Sequence, residues 1–243
     1  MKTVREVKRA RPVARADFSA AAVLAWLKRR GSRRNIEGMA RYAIVAPKAF
    51  GVSVADLRVL GKQVGTNREL AVELWDSGWY EARMLTAFID DPAQLTSREM
   101  DRRTRDFDNW AICDALCFHL FDRTPHAWKK IDEWSRRRAE FERRAAFALL
   151  ASVALHDKAA PDAAFTRGLR LIERAASDER NFVKKGVSWA LRAIGERNAR
   201  LHEQAMNVAT SLAAAPELPM RWIGKDARRQ LQSPAVRRRV AAR

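Results

Sequence analysis

The sequence predicts an all-α fold, and three observations carry that reading. Apolar residues recur at helical spacing along most of the chain, the pattern of helices with one buried stripe. No run alternates apolar and polar residues between hairpin turns. Capping residues, Gly and Pro cut the chain into helices of about 10–18 residues with short linkers. Helix pairs at a loose spacing of about 35–45 residues predict stacked antiparallel pairs, a repeat solenoid. Its concave face, once lined with Arg and Lys, is wide enough for a nucleic-acid duplex. A compact helical domain is the alternative.

In chain order, residues 1–16 are rich in Arg and Lys, contain Pro12 and are expected to form a basic flexible arm. Asp17 or Ser19 can cap the first helix, residues 21–30, whose Val23, Leu24, Trp26 and Leu27 are apolar and which stops at Gly31-Ser32. A basic loop, Arg33-Arg34, leads to a second helix through Met39, Tyr42 and Ile44, broken by Pro47. Ser53 caps a third with Leu57 and Leu60 inward, and Asn67 caps residues 68–76. Gly78 separates that helix from residues 79–89, and Asp90-Asp91-Pro92 is a stop. Thr96 or Ser97 caps the next helix, and Asp108 or Asn109 the central one. Thr124-Pro125 precedes a helix over 126–134. Residues 140–155 form a long Ala-rich helix, and Pro161 opens one that runs to about residue 176. Helices over 182–197 and 201–214 follow. Pro216 and Pro219 interrupt, and residues 222–231 resume the pattern. The helical domain spans 17–232, and residues 233–243, with Arg237-Arg238-Arg239, read as a basic C-terminal tail.

A chain of 243 residues can bury a full-sized core. Its 47 Lys and Arg against 29 Asp and Glu leave a formal charge of +18, which points to a polyanionic partner. Arg33, Arg34, Arg41, Lys48, Lys62, Lys184, Lys185 and Arg192 are the candidate phosphate contacts. No apolar run approaches the roughly 20 residues of a membrane span, and the basic N-terminus lacks the apolar core of a signal peptide. A cytoplasmic protein with no membrane partner is expected. Cys113 and Cys117 lie one helical turn apart without a ligand cluster, so buried free thiols are expected and no metal. The four histidines are scattered, with no Ser or Cys nucleophile arrangement. A glycine-rich phosphate loop is absent from the sequence, which argues against nucleotide hydrolysis.

The most informative stretch is Asp106 to Cys117. In the helix it opens, Trp110 and Asp114 are four apart and share a face, while Ile112 and Leu116 point toward packing. An indole beside a carboxylate suits a developing positive charge. A buried Trp beside a solvated Asp is the competing reading of the same spacing.

Several segments together resemble the AlkD-type DNA alkylation-repair glycosylases, a family of HEAT-like-repeat proteins. Met39-Ala40-Arg41-Tyr42 with Phe50-Gly51-Val52, and Glu73-Leu74-Trp75-Asp76 with Glu81-Ala82-Arg83, are similar to its early segments. Trp110-Ala111-Ile112-Cys113-Asp114 fits its Trp-x-x-x-Asp pair, and Arg143-Arg144-Ala145-Ala146 fits a motif that selects Arg144. Lys185 through Trp189-Ala190-Leu191-Arg192 fits a segment that selects Trp189. The matches keep their order from about residue 36 to 197.

The resemblance implies a HEAT-like solenoid that excises cationic N3- and N7-alkylated purines of the 3-methyladenine and 7-methylguanine type from duplex DNA. It implies no metal or cofactor and no extrusion of the base. An alkylated purine is already a good leaving group, so the enzyme's task is to stabilise the cationic sugar left behind. Asp114 would do so and position water, Trp110 and Trp189 would offer indole faces, and Arg144 would clamp a phosphate or hold the carboxylate. A monomer on double-stranded alkylated DNA, nucleoid-associated when bound, is expected. The alternatives are a non-catalytic helical-repeat nucleic-acid binder and a relative specialised for bulky alkylpurine adducts.

Overall fold

A computed structural model describes residues 18–242; the basic arm expected over 1–16 lies outside them. Among the described residues the chain forms fourteen α-helices, one 3-10 turn and no strand. They divide into two compact units, the first of residues up to 37 with 48–90, the second of 38–47 with the chain from 91 onward. No helix of the described residues is long and apolar enough to cross a membrane.

The first unit holds α1 (Ala20–Arg30), α3 (Val54–Val64), α4 (Arg68–Asp76) and α5 (Tyr80–Ile89), with the start of α2 (Arg33–Ala40). The expected caps form: Ser19, Ser53 and Asn67 each accept a hydrogen bond from a first-turn N–H. Helices α1, α3 and α4 pack around α5, burying Leu27, Leu57, Leu74 and Leu85 completely. The turn before α3 depends on a buried acid. Glu81, fully buried on α5, accepts from the N–H groups of Phe50, Gly51 and Val52 at 2.9, 2.6 and 3.2 Å. Gly51 sits at φ 82°, and a Cβ there would lie 2.1 Å from the Ser32 carbonyl oxygen, so the position requires glycine.

The second unit begins where α2 ends. The sequence pattern predicts a helix through Tyr42 and Ile44, but α2 stops at Ala40 and turns. The N–H of Ile44 donates to the Met39 carbonyl and that of Ala43 to Ala40, with Ala43 left-handed at φ 55°. This is a Schellman-type stop built on alanine instead of the usual glycine. It ends the helix before Pro47 can.

The rest of the unit runs α6 (Ser97–Arg105), α7 (Trp110–His119), a 3-10 turn (Phe121–Arg123), α8 (Ala127–Trp134), α9 (Glu140–His156), α10 (Asp162–Ala175), α11 (Asn181–Gly195), α12 (Ala199–Ala214), α13 (Leu218–Leu231) and α14 (Pro234–Ala241). Thr96 and Glu99 form a capping box on α6. Residues 144–154 of α9 are all buried, because α7, α8 and α11 cover it on different sides. Helices α7, α9, α11 and α13 follow one another as a layer, while α8, α10 and α12 connect them and pack behind. This is the stacked helix-pair arrangement expected of the sequence.

Two local expectations change. Pro219 does not interrupt a helix but lies in the first turn of α13, where its missing N–H has no intrahelical partner to lose. The segment read as a tail after residue 232 forms α14, capped by Ser233, with Val236 and Val240 buried against α12 and α13. Its arginines disguise a short amphipathic helix. Cys113 and Cys117 are buried free thiols as expected.

Two consequences for stability follow from close contacts. Replacing Glu81 with alanine strands up to three backbone donors, an expected loss of about 3 kcal/mol. That corresponds to a melting point lower by about 6–12 °C in a chain of this size, readable by circular dichroism. A Cβ on Gly224 would lie 2.2 Å from the Ala213 nitrogen, so Gly224→Ala must push α12 from α13 at a cost of about 1–3 kcal/mol.

Candidate functional site

The site is built on α7, and its phase is set by one residue. Asn109, buried and extended at φ −151°, ψ 159°, accepts from the N–H groups of Ala111 and Ile112 and donates to Asp108 at 2.6 Å. The cap is therefore Asn109, with Asp108 supporting it. Starting the helix there puts Ile112, Cys113, Leu116 and Cys117 into the core. The opposite stripe is Trp110, Asp114 and Phe118, each one turn after the last and each partly exposed.

Trp110 is tethered by its edge. Its indole N–H donates to the carbonyl of Tyr42 at 2.8 Å, a group that the end of α2 leaves unused. With the edge fixed, the ring is oriented by the turn at Ala43. Tyr42 itself is 70% exposed beside it.

Asp114 and Arg144 form a forked ion pair between α7 and α9. Arg144 Nε donates to Oδ1 at 2.9 Å and Nη2 to Oδ2 at 2.7 Å. Its remaining nitrogen, Nη1, donates at 2.6 Å to the carbonyl of Phe182 in the first turn of α11. Of the two roles open to Arg144 in the sequence, the geometry fits the one that holds the carboxylate. The arginine side chain is 7% exposed and the aspartate 20%, so the carboxylate keeps an accessible edge. Burial pushes the Asp114 carboxyl above its ordinary value, while the charge and hydrogen bonds of Arg144 pull it down. Burial alone would lower Arg144, yet the charge of Asp114 holds it above its ordinary value. Arg144 is thus the firmly charged partner, and Asp114 is the one that acid neutralises first.

Trp189, on α11, joins the stripe one turn further along. Its ring stacks with Phe118 at 6.3 Å and 21°. Phe118 also meets the His156 ring edge-on at 4.3 Å, and His156 Nδ1 lies 2.5 Å from Oδ2 of the buried Asp122. Burial raises the Asp122 carboxyl, and His156 opposes the shift. The structure thus brings Asp114 and Arg144 into contact, with Trp110 a turn before them and Trp189 reached through Phe118 a turn after. Phe118, His156 and Asp122 escaped the sequence reading. Phe118 had a signal, its four-residue spacing from Asp114. The pairing of His156 with Asp122, across 34 positions, had none.

The candidate phosphate contacts separate by environment. Arg33, Arg34, Lys48 and Lys62 are exposed in the first unit, Arg33 pairing with Glu37 at 3.3 Å. Arg41 and Lys185 are exposed in the second. Lys184 lies 5.0 Å over the Trp222 ring. Arg192 is engaged by the Ser188 carbonyl, Gln230 and Asp226, which leaves it little freedom to meet a phosphate.

Comparison with known proteins accords with this architecture. The chain is similar to a solved structure described as "a new family of proteins related to the HEAT-like repeat DNA glycosylases with affinity for branched DNA structures". The TM-score is 0.74 at 19% identity, covering 87% of this chain and 95% of that one. The fold is that of the HEAT-like repeat glycosylases. No curated protein matches. The family model for DNA alkylation repair enzymes matches residues 23–231, nearly the whole described chain. This protein belongs to the DNA alkylation repair enzyme family.

Proposed function

We propose that this chain is a DNA glycosylase that releases cationic N3- and N7-alkylated purines from duplex DNA. One observation carries the reading: a partly exposed carboxylate, Asp114, is clamped by a buried arginine whose other donor is already committed, with indoles on either side along the stripe. An alkylpurine leaves with the bonding electron pair of the C1′–N bond, and positive charge develops on the sugar. A carboxylate held in place before the reaction stabilises that charge without reorganising, and can take a proton from the attacking water. Indole faces contribute about 2 kcal/mol or more each when desolvated. All three nitrogens of Arg144 are engaged, by Asp114 and the Phe182 carbonyl, so it acts as a positioning residue. Recognition then runs through sugar and backbone, with the base left in the stack. This last feature, the lesion type, the duplex substrate and a monomeric, cytoplasmic protein belong to the same proposal.

A non-catalytic binder is the second reading, favoured by the affinity for branched DNA described for the structurally similar family. Base release from methylated duplex DNA separates the two. The native chain should release methylated purines, and Asp114→Asn should be slower by about 100- to 1000-fold. Release by neither chain would favour the binder; equal release by both would remove Asp114 from the mechanism.

The pH profile adds a second check. The reactive form is the carboxylate, so protonation stops the reaction. Because burial raises the Asp114 value, the acid limb of the release rate should lie above the roughly 3.9 of a free aspartate. Arg144→Met removes the opposing pull and should move that limb to still higher pH, a shift that a purely structural role would not produce.

A further inference from the structure

On the second unit, behind the layer that carries Asp114, a cavity of about 240 Å³ opens between α8 and α10. Its wall includes Trp128 from α8 and Arg167, Arg170 and Arg174 from α10, over Leu171. The three arginines are exposed and spaced i, i+3, i+7, so they line one edge of α10 over about 10 Å. None of the three has a hydrogen bond or ion pair among the described residues, in a protein where many other arginines are paired. The one acid in the wall, Asp132, pairs with Arg136, whose Nη2 donates to both carboxylate oxygens at 2.9 and 2.7 Å. Trp128 stands edge-on to Phe165 at 5.1 Å and 70°, which fixes its ring while leaving it partly exposed in the cavity.

The geometry points to a second nucleic-acid site, which we propose takes a single-stranded segment. Three unpaired guanidinium groups in a row match successive phosphates, and guanidinium binds phosphate by paired hydrogen bonds. A held indole beside a row of cations is the combination that binds unpaired bases without reading their sequence. The cavity is smaller than the roughly 300 Å³ at which pockets for drug-sized ligands begin, and accommodates one base. An acidic peptide would satisfy the arginines and leave the indole without a role. These residues are separate from the α7–α9–α11 site, so the proposal stands whether or not Asp114 is catalytic. It gives the chain a hold on an unpaired strand while a duplex lies elsewhere.

The test is anisotropy with a fluorescent single-stranded oligothymidine, using the full chain. The triple variant Arg167→Gln, Arg170→Gln, Arg174→Gln should bind at least about tenfold more weakly, and its log–log salt slope should shrink by about 2, at about 0.7 per phosphate. A control variant with Arg200, Arg237 and Arg238 changed to Gln should lose less than about threefold, since it removes the same charge elsewhere. An oligonucleotide with abasic sites should bind the native chain roughly fivefold or more weakly if Trp128 stacks on a base. Melting curves check that the variants fold, which their exposed side chains favour. Equal losses in the two variants would reduce the site to general charge and overturn it. So would indifference to base removal, or equally tight binding of an oligoaspartate of the same charge.

Discussion

The ion pair between Asp114 and Arg144 is the constraint on which the site depends, because it joins three helices at one guanidinium. Two nitrogens of Arg144 hold a carboxylate on α7 and the third holds a carbonyl on α11, while its backbone belongs to α9. The burial of residues 144–154 makes α9 the fixed reference for the others. Removing one partner of such a pair leaves an uncompensated buried charge, typically at a cost of about 3–5 kcal/mol. The pair's service to function is different. A carboxylate that has lost part of its hydration and cannot rotate away is a better partner for a nearby cation than one in water.

The surrounding structure maintains that geometry by satisfying small local demands. Asn109 caps α7 and thereby decides which stripe faces outward. The Schellman-type turn at Ala43 leaves the Tyr42 carbonyl for the Trp110 indole. Phe118 links the stripe to Trp189 and to the His156–Asp122 pair. In the first unit the same logic recurs, where Glu81 answers three backbone donors and glycine permits the turn they make. At Asn109 and Glu81 the group satisfied is a buried polar one that burial would otherwise penalise.

Much of this was legible in the chain because it is local. Ser19, Ser53, Asn67 and Thr96 cap helices where short polar side chains precede apolar periods. The shared face of Trp110 and Asp114 follows from spacing alone. Long-range choices were not legible. Nothing in the order of residues says that Arg144 turns to Asp114 instead of outward, or that Arg192 is taken up by Asp226 and Gln230. The end of α2 is hidden from the sequence pattern because alanine rarely adopts the left-handed turn it makes here. Helix α14 is hidden because a run of arginines looks like a solvated tail, although two valines at i and i+4 anchor it.

The central claim is that Asp114 is preorganised for a cationic sugar, and binding of a sugar mimic tests it without any chemistry taking place. Duplex DNA carrying a positively charged pyrrolidine in place of one deoxyribose can be compared with DNA carrying a neutral tetrahydrofuran. The native chain should bind the cationic duplex at least about tenfold more tightly, since a transition-state mimic gains where the substrate does not. In Asp114→Asn that preference should vanish while affinity for the neutral duplex is kept. A native chain indifferent to the sugar's charge, or a variant that retains the preference, would contradict the account.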